Sequence, residues 1–418
     1  MELALIAIGA CGLYTFSLIE GRLRDTVLTP PMLFAGFGFL LATVGAGDGI
    51  EVGHGAVHLL AEVTLILVLF SDAARIDVGR LRREHNLPVR MLALGLPITI
   101  VLGTLVAVWM FPQFSIWEAA LLAAVLAPTD AALGQTVVAS HYVPVRIRQT
   151  INVESGLNDG IALPAVLLFA AIATGAASST GDWIRFAVLQ VTLGPLVGIA
   201  IGVLGAKLLD ITATRGWTGT AFQGIGVLAL AIMAFSIAEL IGGNGFIAAF
   251  VAGLSFGNTI RHQCEFLFEF MESEGQLLTL LTFLIFGLVL LPEALHGFNV
   301  TALGYALLSL TVIRMLPIGL SLVGTGIRLP TASFLGWFGP RGLASILFAL
   351  VILETNGVPH ADEILQITVL TVAISILAHG VSASPLSHMY GAMVAKLGEC
   401  EEKRAVAPFP LRSGPPKH

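Results

Sequence analysis

Charge is what this sequence has least of. Only 11% of its 418 residues are Asp, Glu, Lys or Arg, where a water-soluble domain carries about 25%. Such a chain cannot clothe a soluble surface. Without a basic tract or basic residues interleaved with aromatics, nucleic acid is excluded as a partner. Cysteine is nearly missing: Cys11, Cys264 and Cys400 are odd in number and far apart, which leaves no disulfide framework and no metal-binding spacing. The ten histidines are scattered, with no His-x-Glu or paired-His cluster, so no bound cofactor is expected and the chain does not read as an enzyme. Met1 to Ile19 lacks a basic n-region and a small-residue cleavage site, so this apolar stretch reads as a retained span rather than a signal peptide.

What remains is apolar. Hydrophobic residues make up 56% of the chain and the mean hydropathy is +0.90, which fits an all-α polytopic membrane protein whose first partner is the lipid bilayer. About thirteen segments approach the ~20 residues needed to cross the hydrocarbon core: 2–20, 29–46, 55–72, 88–111, 117–140, 149–175, 184–209, 219–241, 243–258, 275–292, 299–323, 331–353 and 364–392. The fifth, sixth and twelfth are interrupted by polar residues, Gly or Pro. Alternate connections carry Arg22 and Arg24; Arg75, Arg80, Arg82, Arg83 and Arg90; Arg146 and Arg148; Lys207 and Arg215; Arg261; Arg328; and finally Lys396, Lys403, Arg404, Arg412 and Lys417. The positive-inside rule then places the N-terminus outside and the C-terminus in the cytoplasm. Residues 1–394 form the transmembrane unit and 395–418 a short cytoplasmic tail, too small for a soluble regulatory domain.

One polar wedge stands inside the sixth segment: Asn152-Val153-Glu154-Ser155-Gly156-Leu157-Asn158-Asp159-Gly160. On a helix, Glu154 lies one turn from Asn158 and Ser155 one turn from Asp159, so two carboxylates, an amide and a hydroxyl share a face about 140° wide. A charge in lipid costs about 2.5–3.5 kcal/mol on insertion scales, and such groups face a protein interior or a wet cavity. Two segments are also broken at matching places. The fifth contains Leu126-Ala127-Pro128-Thr129-Asp130 and the twelfth Gly339-Pro340-Arg341-Gly342, and proline removes a helix bond in each. If spans 1–6 and 8–13 are two repeats, the breaks are equivalent and the repeats inverted, the best sequence pointer to a transporter's midplane site. Half-helix ends carry partial charges. Asp130 is expected to compensate positive ends at the first break, and Arg341 negative ends at the second. His141 and His379 could sense pH, although a lone buried histidine more often simply forms hydrogen bonds.

Ala127-Pro128-Thr129-Asp130, Glu154-Ser155-Gly156-Leu157-Asn158-Asp159-Gly160 and Gly339-Pro340-Arg341-Gly342 resemble the monovalent cation/proton antiporters, in particular the NhaP-type sodium/proton antiporter branch. Phe70 to Asp77, Phe283 to Leu291 and Arg314 fit the same pattern. The resemblance implies thirteen helices in two inverted six-helix repeats, with broken helices 5 and 12 crossing at the midplane. It implies a core domain around spans 4–6 and 11–13, a dimerisation domain from the remaining spans, a homodimer, and residence in the plasma (inner) membrane of a prokaryote. It also implies cation binding by Asp159, Ser155 and the main chain of Thr129. Glu154 would lie nearby through water, Asn158 would fix the arrangement, and Arg314 would pair with Glu154.

The chemistry of exchange fits these residue types. Sodium or lithium needs hard oxygen ligands, and carboxylate, hydroxyl and carbonyl supply them where nitrogen or sulfur would select other metals. An ordinary aspartate, with a pKa of about 3.9, holds no proton at neutral pH. Burial among carboxylates moves such a group by several units toward neutrality, so Asp159 is expected to bind either Na+ (or Li+) or H+ and never both. Asn158 cannot titrate, which favours electroneutral one-for-one exchange. Two alternatives stay open: K+/H+ exchange on the same fold, and a cation channel, which would need no titratable wedge.

Overall fold

The computed structural model describes residues 2–23, 26–44, 54–79, 86–175, 180–260, 265–297, 299–354, 357–398 and 400–404. Among them every regular element is a helix and there is no strand. In chain order these are α1 (Glu2–Leu23), α2 (Pro30–Thr43), α3 (His54–Ala74), α4 (Asn86–Met110), α5 (Ile116–Val125), α6 (Ala131–Ala139), α7 (Val145–Ala173), α8 (Thr180–Thr214), α9 (Thr220–Leu240) and α10 (Gly245–Thr259). Then come α11 (Glu265–Ile285, continued through Phe286–Leu290 and Leu291–His296), α12 (Val300–Ser321), α13 (Leu329–Trp337), α14 (Leu343–Glu354) and α15 (Ala361–Ala395). Of the basic residues used for orientation, Arg24, Arg80, Arg82, Arg83, Arg261, Arg412 and Lys417 fall outside the described residues.

Seven helical stretches among the described residues are long and apolar enough to cross a membrane: Asn86–Met110, Val145–Ala173, Thr192–Thr214, Thr220–Leu240, Ser273–His296, Val300–Ser321 and Ala361–Ala395. Their outer faces are apolar where a soluble protein would be charged. Val101, Leu105 and Trp109 on α4, Leu204 and Leu208 on α8, and Leu316 and Leu320 on α12 are all exposed. The charged side chains Asp130, Glu154, Asp159, Arg314 and Arg341 are buried. This inside-out distribution is what a hydrocarbon solvent selects.

Local sequence explains where the helices start, bend and stop. Ser115 and Glu118 form a reciprocal cap at the start of α5, with Ser115 N donating to Glu118 Oε2 at 2.8 Å and Glu118 N donating to Ser115 Oγ at 3.3 Å. Ala127-Pro128 ends α5 and Phe338-Gly339-Pro340 ends α13, because proline has no N–H to continue the ladder. In α4 and α11 a wide π-helical turn, Met91–Gly95 and Phe286–Leu290, immediately precedes Leu-Pro, an adjustment that lets a proline sit inside a long span. The sixth segment, interrupted by polar residues, is one unbroken helix, α7, with Pro164 inside it. Ser, Asn, Asp and Gly are weak helix formers, and the wedge stays helical where Glu154, Ser155 and Asn158 find side-chain partners in the protein.

Small residues let the helices close around this interior. Gly253 and Gly257 of α10 lie against the backbone carbonyls of Phe70 and Ala74 of α3, where any Cβ would collide. Two apolar clusters sit on either side of the polar wedge. Along α7, Ile147 and Ile151 belong to a cluster with α6, α13 and the end of α15, whereas Val153, Leu157 and Leu163 belong to the larger core.

Part of the short tail packs back on the helices where it is described. Cys400 to Arg404 folds back as a short 3-10 turn, Glu401–Lys403. Glu402 is 1% exposed, and its Oε1 accepts from Arg328 N at 2.9 Å and from Thr331 Oγ1 at 3.1 Å. Arg328 is the N-cap of α13 and offers no side-chain cap of its own, so Glu402 caps that helix from a distance. Arg146, in the first turn of α7, grips Glu401 through its carbonyl and, at 2.6 Å, through Oε2. The turn therefore ties the start of α7 to the start of α13. Burial works to raise the Glu402 pKa, but the hydrogen bonds from Arg328, its own N–H, Cys400 and Thr331 outweigh it and hold the carboxyl below its usual range. A depressed folded pKa means the contribution is present above the unfolded value and lost as pH falls through the folded one. Glu402→Ala should therefore lower the thermal unfolding temperature at pH 7, by an amount matching about 1–3 kcal/mol for stranded buried donors. In detergent, that difference should shrink as pH falls below the usual glutamate value of about 4.3 and through the lower folded pKa; an unchanged difference in acid would exclude the ionised cap.

Candidate ion-binding site

The site is built on α7, which presents Glu154, Ser155, Asn158 and Asp159 toward the two chain breaks, all four buried. Thr129, in the first break, is the node they meet. Its Oγ1 donates to Glu154 Oε2 at 3.0 Å, lies 3.1 Å from Ser155 Oγ and accepts from Asn158 Nδ2. A hydroxyl has one hydrogen and two acceptor positions. With the Thr129 hydrogen taken by Glu154, Ser155 must be the donor in the 3.1 Å contact, and its lone pairs face elsewhere. The resemblance placed the main chain of Thr129 on the cation; in the structure its hydroxyl is what organises the neighbouring side chains.

Glu154 is fully engaged. Arg314 Nη1 on α12 donates to its Oε1 at 2.9 Å, with both side chains 1% exposed, and Asn158 Nδ2 adds a longer contact at 3.4 Å. One turn before Arg314, α12 is dislocated at Thr311, whose hydroxyl donates back to Leu307 O at 2.6 Å. Asp159 contrasts with this. It is 7% exposed and its Oδ1 is buried without a hydrogen-bond donor, as is Asn158 Oδ1. Two acceptor-only oxygens next to an ion-paired glutamate suit a proton or a hard cation. Among the described residues no three His, Cys, Asp or Glu side chains converge as a resident metal site would require.

The two breaks touch each other. Asp130 N donates to Pro340 O at 2.8 Å. The Asp130 carboxylate caps its own half-helix α6 by accepting from Ala132 N (2.7 Å) and Leu133 N (3.4 Å), and caps α14 by accepting from Leu343 N (2.7 Å). It thus compensates the positive ends at both breaks, not only its own. Arg341 departs from expectation. It lies at the second break, yet its Nη1 donates to Ala127 O (2.6 Å) and Pro128 O (3.0 Å), the negative end of the first break. The crossing is the reason: the side chain projects across to the opposite half-helix end instead of folding back on its own. Ser345 Oγ of α14 reaches the same region, donating to Val125 O at 2.8 Å.

The second break's own freed carbonyl and amide are met by residues given no such role from sequence. His379 on α15 lies 2.9 Å from Trp337 O through Nε2, and Ser375 Oγ accepts from Arg341 N at 2.7 Å. Their spacing of four, which puts both on one face of the helix, was the available signal. His141, the other histidine weighed as a sensor, is not brought to this site.

The geometry has counterparts among known proteins. The family described as "Sodium/hydrogen exchanger, transmembrane" matches residues 8–388. The K(+)/H(+) antiporter NhaP of Alkalimonas amylolytica is 27% identical over 393 residues, covering 93% of this chain and 67% of that protein. The Na(+)/H(+) antiporter NhaP of Pseudomonas aeruginosa is 30% identical over 344 residues, covering 76% of this chain and 78% of that protein. This chain spans about two thirds of the length of the curated K(+)/H(+) relatives it matches. The structure of the sodium proton antiporter MjNhaP1 from Methanocaldococcus jannaschii superposes with a TM-score of 0.74 at 19% identity, covering 93% of this chain and 99% of that one, a likeness of fold. With a buried carboxylate wedge facing two crossed breaks and a family match over nearly its whole length, the chain belongs to the sodium/hydrogen exchanger family.

Proposed function

We propose that this protein is a secondary antiporter exchanging Na+ or Li+ for H+ by competition of cation and proton for Asp159. The observation that carries this is the contrast between the two wedge carboxylates. Glu154 is neutralised by Arg314 at 2.9 Å, whereas the buried Asp159 Oδ1 has no donor. A carboxylate left ionised and unpaired in so dry a place is costly, and either a proton or an alkali cation relieves that cost. Ser155, whose lone pairs are free, and the main chain of Thr129 complete the hard-oxygen ligand set. Asn158 holds Thr129, and Asp130 and Arg341 hold the crossing. One site, two competing ligands and alternating access give coupled exchange.

The architecture that goes with this reading has thirteen passes, with α5–α6 and α13–α14 each counting as one broken helix of two inverted six-helix repeats. A core domain around spans 4–6 and 11–13 moves against a dimerisation domain in a homodimer. The protein sits in the inner membrane of a prokaryote, N-terminus outside and C-terminus cytoplasmic. K+/H+ exchange is the second reading, favoured by the naming of the Alkalimonas relative; a conducting channel is disfavoured by the competition itself.

Proteoliposomes carrying a proton gradient should dissipate it when Na+, Li+ or K+ is added, and the ranking of the three ions chooses between the two readings. Asp159→Asn should reduce dissipation to the level of protein-free vesicles; undiminished exchange would end the assignment. Arg314→Ala should lose folded protein, since stranding one member of a buried pair costs about 3–5 kcal/mol, and a normal yield with unchanged thermal stability would contradict the pairing role. Because Asn158 cannot titrate, flux should ignore an imposed diffusion potential. A net charge moved per cycle would couple to voltage by about 2.3 kcal/mol per 100 mV, so a clear voltage dependence would reject one-for-one exchange.

A further inference from the structure

A helix that ran straight through the second break would join Arg341 N to Trp337 O, four residues back. That bond is missing: Trp337 O instead accepts from Gly339 N at 2.8 Å in a tight turn, and one turn of α15 reaches both of the separated groups. Ser375 Oγ accepts the Arg341 N–H at 2.7 Å. His379 Nε2 lies 2.9 Å from Trp337 O. The two substitutes are linked, since Ser375 Oγ is 3.1 Å from His379 Nδ1. Nε2 is positioned to donate to Trp337 O. Nδ1 also faces a carbonyl, Ser375 O, at 2.9 Å, so the ring is clamped between two backbone acceptors, with Ser375 Oγ beside Nδ1 and accepting from Arg341 N. The imidazole is also held in place, with its ring centroid 4.9 Å from that of Trp337, whose indole Nε1 donates to Ser382 Oγ at 2.9 Å.

We propose that Ser375 and His379 act together as a positioning pair for exchange, an external replacement for the missing Arg341–Trp337 helix bond that holds the second break open at the angle Arg341 needs to reach Ala127 and Pro128. This rests on reading the chain as a cation/proton exchanger. The chain of contacts from His379 to the ion site is short. The pair fixes the Arg341 backbone, the Arg341 guanidinium fixes the carbonyls of Ala127 and Pro128, and the next residue, Thr129, is the node that meets Glu154, Ser155 and Asn158. Neither Ser375 nor His379 is a cation ligand. A Gln side chain at 379 can deliver an N–H to Trp337 O much as Nε2 does, whereas Leu fills the space without a donor.

The test uses the full chain in proteoliposomes and, in parallel, amide hydrogen exchange of the Arg341 segment in detergent. His379→Leu and Ser375→Ala should each lower the maximal exchange rate on the order of ten-fold, the expression of one lost buried hydrogen bond, with the apparent KM for the cation changed by less than about three-fold. His379→Gln should recover most of the rate. The double variant should be no worse than the poorer single one, because the two act as one unit. Protection of the Arg341 amide should fall in Ser375→Ala. Unchanged rates in both single variants, failure of Gln to rescue a well-folded protein, or a shift confined to KM would each overturn the proposal. Absence of any exchange by the wild-type protein would instead remove the transport reading, and unaltered Arg341 amide protection in Ser375→Ala would remove the hydrogen-bond assignment on its own.

Discussion

The structure depends on one constraint: in lipid, a backbone N–H or C=O that loses its helix partner must find another inside the protein. Two proline breaks at the same depth free several such groups at once. They are satisfied by crossing. Asp130 takes amides from both broken helices, Arg341 takes carbonyls from the helix it does not belong to, and Asp130 N bonds to Pro340 O. Each break thus serves in part as the other's solvent, with α15 meeting Arg341 N and Trp337 O. Asp130 and Arg341 are complementary because half-helix ends are: N-termini present donors and want an acceptor-only carboxylate, C-termini present acceptors and want a donor-only guanidinium.

Once the crossing is rigid, the division of labour on α7 follows. Thr129 emerges from the first break with its hydroxyl aimed at the wedge, where it receives Asn158 and Ser155 and gives its hydrogen to Glu154. Arg314 saturates the other oxygen of Glu154. Glu154 is thus held by contacts on both of its oxygens. Asp159, one turn from Ser155 on the same helix, has none of that support at Oδ1. Two carboxylates in one wedge become different in kind because one is within reach of an arginine and a threonine and the other is not.

Much of this was legible in the sequence, for reasons that can be named. Proline at 128 and 340 marks the breaks because its missing N–H is a property of the residue itself. The wedge shows in the i, i+4 spacing of Glu154–Asn158 and Ser155–Asp159, since helical geometry follows from spacing alone. What escaped was set by contacts between distant segments. Charge placement by local logic put Arg341 on its own break, and only the crossing reveals that it serves the other. The polar residues of α7 read as an interruption because their partners, Thr129 and Arg314, lie 25 and 160 residues away along the chain. Glu402 read as tail because nothing local says that the N-cap of α13 is an arginine with no capping bond of its own. Ser375 and His379 were visible as a polar pair one turn apart on α15, but the bond they replace exists only as a gap in another helix.

The Gly-Pro-Arg-Gly sequence at 339–342 can now be understood as geometry. Pro340 makes the break and Arg341 crosses it, but the flanking glycines are as necessary. A Cβ on Gly342 would occupy the space of the Asp130 carboxylate, and with it the bond to Leu343 N that caps α14. A Cβ on Gly339 would strike the Arg314 guanidinium, which packs edge-on against the break while its Nη1 holds Glu154. The two glycines therefore leave room for opposite charges on opposite sides of one peptide segment: the carboxylate that supports the helix ends and the guanidinium that neutralises the wedge. Enlarging either residue would displace a buried charge from its partners, so the motif is the smallest backbone that lets one broken helix touch the other and, through Arg314, the polar face of α7.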